Sequence, residues 1–363
     1  MKKLIAAAVA AAFVAPVALA DVTITGSIRT ALDYIDITDA TAKADASKNV
    51  DKFRIADQSS RITFKGEDKL DDGGTLVWQI ENGFNIGVGG STGLWGTRNT
   101  FIGYKSDSLG LLRFGKNDNA YKLASADYIQ ALDGELNDDS GYLGGKRIIR
   151  RLGDRQDQII SYDSPNWGGF RVRASYDLDS GKDDSVNATT GAITASYSND
   201  TFSVGGAYAN ASDRKISFGS VSLSKDHASA TATGTTTQGT QLGGTVKFSG
   251  VTLSAAWEHV EWDTGKLSRD QDSFALGALY KVGKFTVHGA YLNAGDVDGL
   301  SDTGASQYVI GGQYSLSKQS RIYLTYAQLE NDKNAKFTTE GPELSLVNGQ
   351  DLKILSLGVR SDF

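Results

Sequence analysis

Phe170-Arg171-Val172-Arg173-Ala174-Ser175-Tyr176-Asp177 is the stretch whose reading decides the fold. Its side chains alternate strictly, which is the period of a β-strand. Phe170, Val172, Ala174 and Tyr176 form one face, and Arg171, Arg173, Ser175 and Asp177 the other. If the second face were packed in a dry core, both arginines would need partners, because an unpaired buried charge is very costly. A wall with lipid on its apolar side and water on its polar side removes the conflict. That is the construction of a transmembrane β-barrel.

The same alternation runs outward in both directions. Toward the N-terminus, Val22, Ile24, Ile28 and Leu32 oppose Thr23, Thr25, Ser27 and Arg29, and Ile62 and Phe64 oppose Arg61, Thr63, Lys65 and Glu67. A third strand carries Leu76, Trp78 and Ile80 on one face, after the tight-turn signal Asp71-Asp72-Gly73-Gly74. Further strands are expected near 97–105, 110–116, 154–163, 169–178, 191–199, 201–210, 239–249, 251–261, 272–281, 284–293, 306–316, 320–330 and 351–363, sixteen in all. Short connections alternate with long ones, the latter near 36–57, 84–96, 117–153, 179–190, 211–238, 262–271, 294–305 and 331–350. An even strand number with short turns at one end and long loops at the other is the outer-membrane pattern. The expected fold is therefore all-β, a 16-stranded antiparallel transmembrane barrel with both termini at the short-turn end. Aromatic residues near strand ends (Phe170, Tyr176, Phe274, Tyr280, Phe285, Tyr291, Tyr308, Tyr314) fit interfacial girdles.

Residues 1–20 read as a cleaved signal peptide. Lys2 and Lys3 precede an apolar core from Leu4 to Ala15 that is too short to span a bilayer, and Ala18-Leu19-Ala20 is a small-x-small cleavage site. The barrel would then occupy 21–363. Mean hydropathy is −0.28, and no later segment has 18 consecutive apolar residues, so helices do not cross the membrane. With no cysteine, a disulfide framework, a thiolate metal site and a cysteine nucleophile are excluded. Only Pro165 and Pro342 remain after the leader, both in turn or loop contexts. The net charge of −6 disfavours nucleic acid as a partner.

One connection stands apart. Between Arg113 and Arg155 lie more than thirty residues without strand alternation, a length that points to function or disorder. Acids come first (Asp127, Asp133, Glu135, Asp138, Asp139), then bases (Lys146, Arg147, Arg150, Arg151, Arg155). This third long loop is expected to fold into the lumen and set the width and charge of a pore.

The chain closes on Leu355-Ser356-Leu357-Gly358-Val359-Arg360-Ser361-Asp362-Phe363, an alternating strand with a terminal aromatic. Together with Gly26-Ser27-Ile28-Arg29, Arg61-Ile62-Thr63-Phe64-Lys65-Gly66-Glu67, Arg113-Phe114-Gly115-Lys116 and Arg155-Gln156-Asp157-Gln158-Ile159-Ile160-Ser161-Tyr162-Asp163-Ser164-Pro165, it resembles the Gram-negative general porins of the Neisseria type across residues 21–363. The resemblance implies a passive, water-filled, homotrimeric outer-membrane channel for small hydrophilic solutes and ions, without a cofactor. Biogenesis would pass through the barrel assembly machinery, which reads Phe363, and outer-membrane lipid would surround the product. It also implies a constriction with wall bases facing loop acids. By motif the bases are Arg61, Lys116 and Arg155, joined by Arg171 and Arg173 from alternation alone. Strict alternation places Lys116 with Phe114 on the lipid side, but Gly115 is read as the start of the departure into the loop. Asp127, Asp133 and Glu135 are the acidic candidates by position. Each has the alternative of pairing with a neighbouring base to hold the loop together. The basic excess predicts weak anion selectivity.

Enzyme readings find less support. Gly89-Gly90-Ser91-Thr92-Gly93 matches a nucleophile elbow, but lies in a Gly-rich loop rather than between a strand and a helix. His227, His259 and His288 have no metal-ligand spacing, and Asp133 with Glu135 is too weak a carboxylate pair to carry glycoside hydrolysis. An outer-membrane barrel hydrolase of lipase or protease type is the alternative from another class, and a soluble β-rich adhesin or sugar-binding module is the third.

Overall fold

The computed structural model describes residues 22–39, 49–87, 95–132, 148–178, 187–213, 234–339, 344 and 346–363. The leader 1–20, the Gly89–Gly93 motif, and Asp133, Glu135, Lys146 and Arg147 lie outside them. Strands β1 (Thr23–Asp39), β2 (Val50–Asp57), β3 (Arg61–Lys69), β4 (Thr75–Gly83), β5 (Thr100–Ser106) and β6 (Gly110–Asp118) precede the long loop. After it come β7 (Arg155–Asp163), β8 (Phe170–Asp177), β9 (Thr189–Ser198), β10 (Phe202–Ser212), β11 (Thr236–Phe248) and β12 (Val251–Asp263). The last five are β13 (Ser268–Val282), β14 (Phe285–Ala294), β15 (Ala305–Ser315), β16 (Ser320–Asn331) and β17 (Gln350–Asp362).

Neighbouring strands pair antiparallel, and β17 returns to β1 from Ser27↔Asp362 to Asp39↔Gln350, so the sheet closes on itself. The described residues hold seventeen strand segments but sixteen staves. β2 and β3 both pair with β1, one from Ile37↔Val50 to Thr30↔Asp57 and the other from Ser27↔Arg61 to Thr23↔Lys65. They are two halves of one stave, broken at 58–60. Ser59 there has a left-handed φ of 68°, and the Asp57 carboxylate accepts the N–H groups of Ser59 and Ser60 at 2.9 and 3.1 Å.

Two connections differ from expectation. The span 36–57 is not all loop, because β1 runs on to Asp39 and β2 begins at Val50. The span 262–271 is mostly strand, since β12 and β13 pair up to Asp263↔Ser268 and leave a four-residue turn, 264–267. Across 211–240, β10 pairs directly with β11 from Phe202↔Val246 to Ser212↔Thr236, so no strand stands between them.

The alternation has the expected sense. Phe170 and Tyr176 are exposed on the outside, while Ser175 and Asp177 are buried within. Outer-wall aromatics pair across strands, Phe285 with Tyr314 at 4.7 Å between centroids and Tyr291 with Tyr308 at 5.0 Å. At the seam, Phe363 and Gly26 exchange backbone bonds of 2.8 and 3.0 Å. The Phe363 ring covers Gly26, where a Cβ would collide with it.

The inner wall of β16, β17 and β1 is layered. Nearest the short turns is a row of arginines, Arg321–Arg360–Arg29, with Asp362 bonded to Arg321 at 3.2 Å and Arg360 at 2.7 Å. Above it comes a polar row, Thr325–Ser356–Asp33. Higher still the row Val309–Ala327–Ile354–Ile35 is apolar and buried, in one cluster with Phe337. The lumen face is thus not uniformly polar.

Candidate functional site: the loop-lined lumen

The long loop leaves the wall where β6 loses register with β7 between Gly115 and Asn117, with Gly115 at φ 143°. Asn119 then caps a helix, α1 (Ala120–Tyr128), its Oδ1 accepting the Lys122 N–H at 2.9 Å. A single 3-10 turn follows, Gln130–Leu132. Sequence alternation had shown no helix here.

The helix lies against the inner wall because the wall offers it small residues and hydroxyls. A Cβ on Gly205 would strike the Tyr128 ring, and one on Gly243 would strike Ile129. These glycines are where two layers of backbone approach closely. Ser175 Oγ accepts the Ala120 N–H at 2.9 Å, and Thr194 Oγ1 donates to the Ala120 carbonyl at 2.8 Å. Tyr128 donates to Gln241 at 3.0 Å, Thr245 accepts from Gln130 N–H at 3.1 Å, and Ser254 accepts from Ala131 N–H at 2.8 Å. Such buried bonds contribute about 0.5–1.5 kcal/mol each.

The returning segment is anchored by Glu258 on β12. Its buried carboxylate accepts the backbone N–H groups of Arg150 and Arg151, the latter at 2.9 Å. The Arg151 guanidinium lies 3.9 Å from Glu258, bonds Ser273 at 2.7 Å and covers the Trp262 ring at 5.4 Å. Burial pulls this guanidinium below its ordinary pKa, and Glu258 opposes the shift. Arg150 bonds Ser125 at 2.8 Å. These two loop bases are fasteners.

Charges concentrate beside the helix. Arg173 reaches Asp127 at 3.0 Å and Asp163 at 3.5 Å, while Arg171 stands 3.7 Å from Asp127. Arg113 bonds Asp163 at 2.8 Å. Burial holds the Asp127 carboxyl above the usual range, against the pull of Arg173 and Arg171. Arg155 meets Asp118 at 3.1 Å and Asn99 at 2.7 Å, and Lys122 meets the same Asp118 at 3.0 Å. Arg98 pairs with Glu81 and lies over Gly83, which is directly opposite Arg61.

Of the residues anticipated from sequence, Arg171, Arg173 and Asp127 come together, and Arg155 lies near Arg98, which covers the residue opposite Arg61. Lys116 does not join them. The β5–β6 ladder continues unshifted through Ile102↔Phe114 to Thr100↔Lys116, so Lys116 keeps the outward parity of Phe114, and its Nζ pairs with Asp157 at 2.8 Å. Alternation was the correct guide, because the bulge at Gly115 disturbs only the β7 side. Arg98, Glu81, Asp118 and Asp163 were missed, along with the arginines of the β16–β17–β1 row. Parity would have put Arg29, Arg321 and Arg360 inside, whereas Arg98 lies just before β5, where parity has no hold. His259 faces outward beside Asp272 at 3.1 Å, and His288 is buried on the inner face.

A closed sixteen-stave barrel with a helix-bearing third loop folded against its inner wall is the architecture of a bacterial diffusion pore. The family profile described as Gram-negative porin matches residues 6–334. The chain belongs to the Gram-negative porin family. Major outer membrane protein P.IB of Neisseria gonorrhoeae is 28% identical over 349 residues, covering 92% of this porin and 95% of that protein. The P.IB protein of Neisseria sicca is 35% identical over 175 residues, but the match spans only 46% of its length. Among solved structures, the anion-selective porin from Comamonas acidovorans superposes with a TM-score of 0.73 at 20% identity, covering 95% of this chain and all of that one. OmpT of Vibrio cholerae in its trimer form gives 0.67 at 16% identity, with 94% and 99% covered. The porin is an outer-membrane channel.

Proposed function

We propose that this porin passes small hydrophilic solutes and ions with a weak preference for anions, and that it works as a homotrimer. The observation that carries the selectivity is the charge around the inward loop. There, six described cations (Arg98, Arg113, Lys122, Arg155, Arg171, Arg173) meet four described carboxylates (Glu81, Asp118, Asp127, Asp163). Arg61 and the arginine row on β16, β17 and β1 add to the excess. Charges that ring a pore bias its ions because the low-dielectric wall focuses their field on the permeant species. Screening in a wet lumen keeps the bias modest, over roughly 10 Å at 0.1 M salt. The candidate constriction is therefore Arg61, Arg98, Arg155, Arg171 and Arg173 around Asp127. A solved relative in trimer form supports the assembly.

The chain acts as a channel and not as an enzyme in this reading, and Phe363 at the seam is the group offered to the assembly machinery. Planar-bilayer recording tests it. Steady ohmic conductance with a reversal potential on the anion side is expected in a KCl gradient, and a cation-selective reversal potential would overturn the selectivity.

A further inference from the structure

The inner wall is dry over a long arc at one depth. Above the Val309–Ala327–Ile354–Ile35 row, a second row runs from Ile37 on β1 through Leu352, Leu329, Gln307 and Leu292 to Ala275 on β13. Every member of both rows is buried. A wall residue that lines water is exposed, as Arg171 is on β8, with 38% of its side chain open. Something therefore covers these rows. On β13 the cover is the third loop, since a Cβ on Gly277 would strike Ala131 and Leu132. The main contacts of that loop's helix and 3-10 turn lie on β8 to β13, so β15 to β17 and β1 are covered by another element.

That element is the last long loop, of which 332–339, 344 and 346–349 are described. Ala335 and Phe337 are fully buried in one cluster with Ile35, Leu329, Leu352 and Ile354, and Leu344 and Leu346 pack against it. Asn331, at the end of β16, turns the chain back to the wall. Its Oδ1 accepts the Phe337 N–H at 2.7 Å, and its Nδ2 donates to the carbonyls of Phe337 at 3.1 Å and Gln350 at 2.7 Å. A second strap ties the loop to 294–305. The Asp332 N–H donates to the Gly304 carbonyl at 3.1 Å, the Asp332 carboxylate accepts the Gly304 N–H at 3.1 Å, and the Asn334 N–H donates to the Asp302 carbonyl at 2.8 Å. An apolar anchor with its flanking polar groups bonded fixes one arrangement of the loop.

We infer that the loop 332–349 is a second size-determining element of this channel, anchored by Phe337. It keeps water off the inner wall from β15 through β17 to β1, and so confines permeating solutes to the charged wall of β3 to β8. The inference rests on the channel reading above and adds what bounds the passage on its apolar side. Confinement also brings ions within a screening length of the arginines on β7 and β8, so the same loop strengthens the selectivity.

The chain has no cysteine, so single-cysteine variants report cleanly. Ile354→Cys places a thiol under the loop, and Lys65→Cys places one at an exposed inward position of β3. Both channels are treated in bilayers with a charged, water-soluble methanethiosulfonate. Ile354→Cys is expected to react roughly tenfold more slowly than Lys65→Cys, because the loop must open locally first. Adding Phe337→Ser should bring the two rates together. In a background without cysteine, Phe337→Ser and Asn331→Ala should each raise the single-channel conductance and move the reversal potential in a KCl gradient toward zero. Asn331→Ala keeps the ring, so it decides the matter even if Phe337→Ser assembles poorly. Ile354→Cys reacting at the Lys65→Cys rate with the loop intact would overturn the inference. So would a protected Ile354→Cys with conductance and reversal potential unchanged in both loop variants. A wild-type channel that selects cations would overturn the selectivity reading instead, and the thiol rates would still decide the loop.

Discussion

Asp127 is the carboxylate on which the local charge balance turns. Its loop position leaves it half-buried beside Arg171 and Arg173, and burial raises its pKa above the ordinary value of about 3.9. It loses its charge as pH falls through that raised pKa, taking one carboxylate partner from Arg171 and leaving Arg173 with Asp163. Anion preference is therefore expected to grow between pH 7 and pH 4. Asp127→Asn should show much of that preference already at pH 7 and a smaller change on acidification, read as reversal potentials in a KCl gradient. An acid shift of the same size in Asp127→Asn would assign the titration elsewhere. At this scale the sequence was readable wherever a residue sat inside a regular strand. Arg171 and Arg173 follow from alternation, as Lys116 does once Gly115 is not allowed to suspend the rule. Arg98 could not be found that way, because the loop before β5 has no period.

The inward loop is an element made by its seat. Nine residues are too few for a helix to be stable alone, and the Tyr121–Ala124–Tyr128 spacing is too short a stripe to stand out. Its helicity comes from glycines and hydroxyls on β8 to β12, distant in sequence, which is why α1 was not foreseen. Gly243→Val should push Ile129 off the wall. Overpacking typically costs about 1–3 kcal/mol, here confined to the loop. The expected result is frequent sub-conductance flicker in single-channel records while the barrel keeps its heat-resistant mobility, and a quiet channel like the wild type would deny that the seat holds the loop. The extension of β12 and β13 beyond the expected bounds has a related cause. Toward the loop end the outward face carries His259, Glu261 and Asp270, so the apolar signal fades while pairing continues. The closing seam was fully legible. Removing Phe363 takes away the ring over Gly26 and the two backbone bonds between these residues. Assembled barrel in the outer membrane is expected to fall more than the stability of protein already folded in detergent, measured as yield of heat-modifiable trimer; equal yields would contradict it.

Across the whole molecule the net charge is −6, while the described charges around the inward loop have the opposite sign. The two are compatible because a permeating ion responds to the nearby groups that the wall focuses on it, and charges farther off than a screening length of roughly 10 Å at 0.1 M salt count for little. The barrel fold was legible because lipid and water impose one rule on every stave. The charge of its interior was only half legible, because it depends on which loop residues fold against which wall. Arg61 and Arg155 are inner-wall bases that do not pair with Asp127, and Asp118 keeps Lys122 when Arg155 is neutralised. The reversal potential of Arg61→Gln/Arg155→Gln in a tenfold KCl gradient is thus the most direct test of the account. Wild type should reverse on the anion side and the double variant should move toward cation preference, with conductance still ohmic. An unchanged reversal potential, or a wild-type pore already selective for cations, would contradict it.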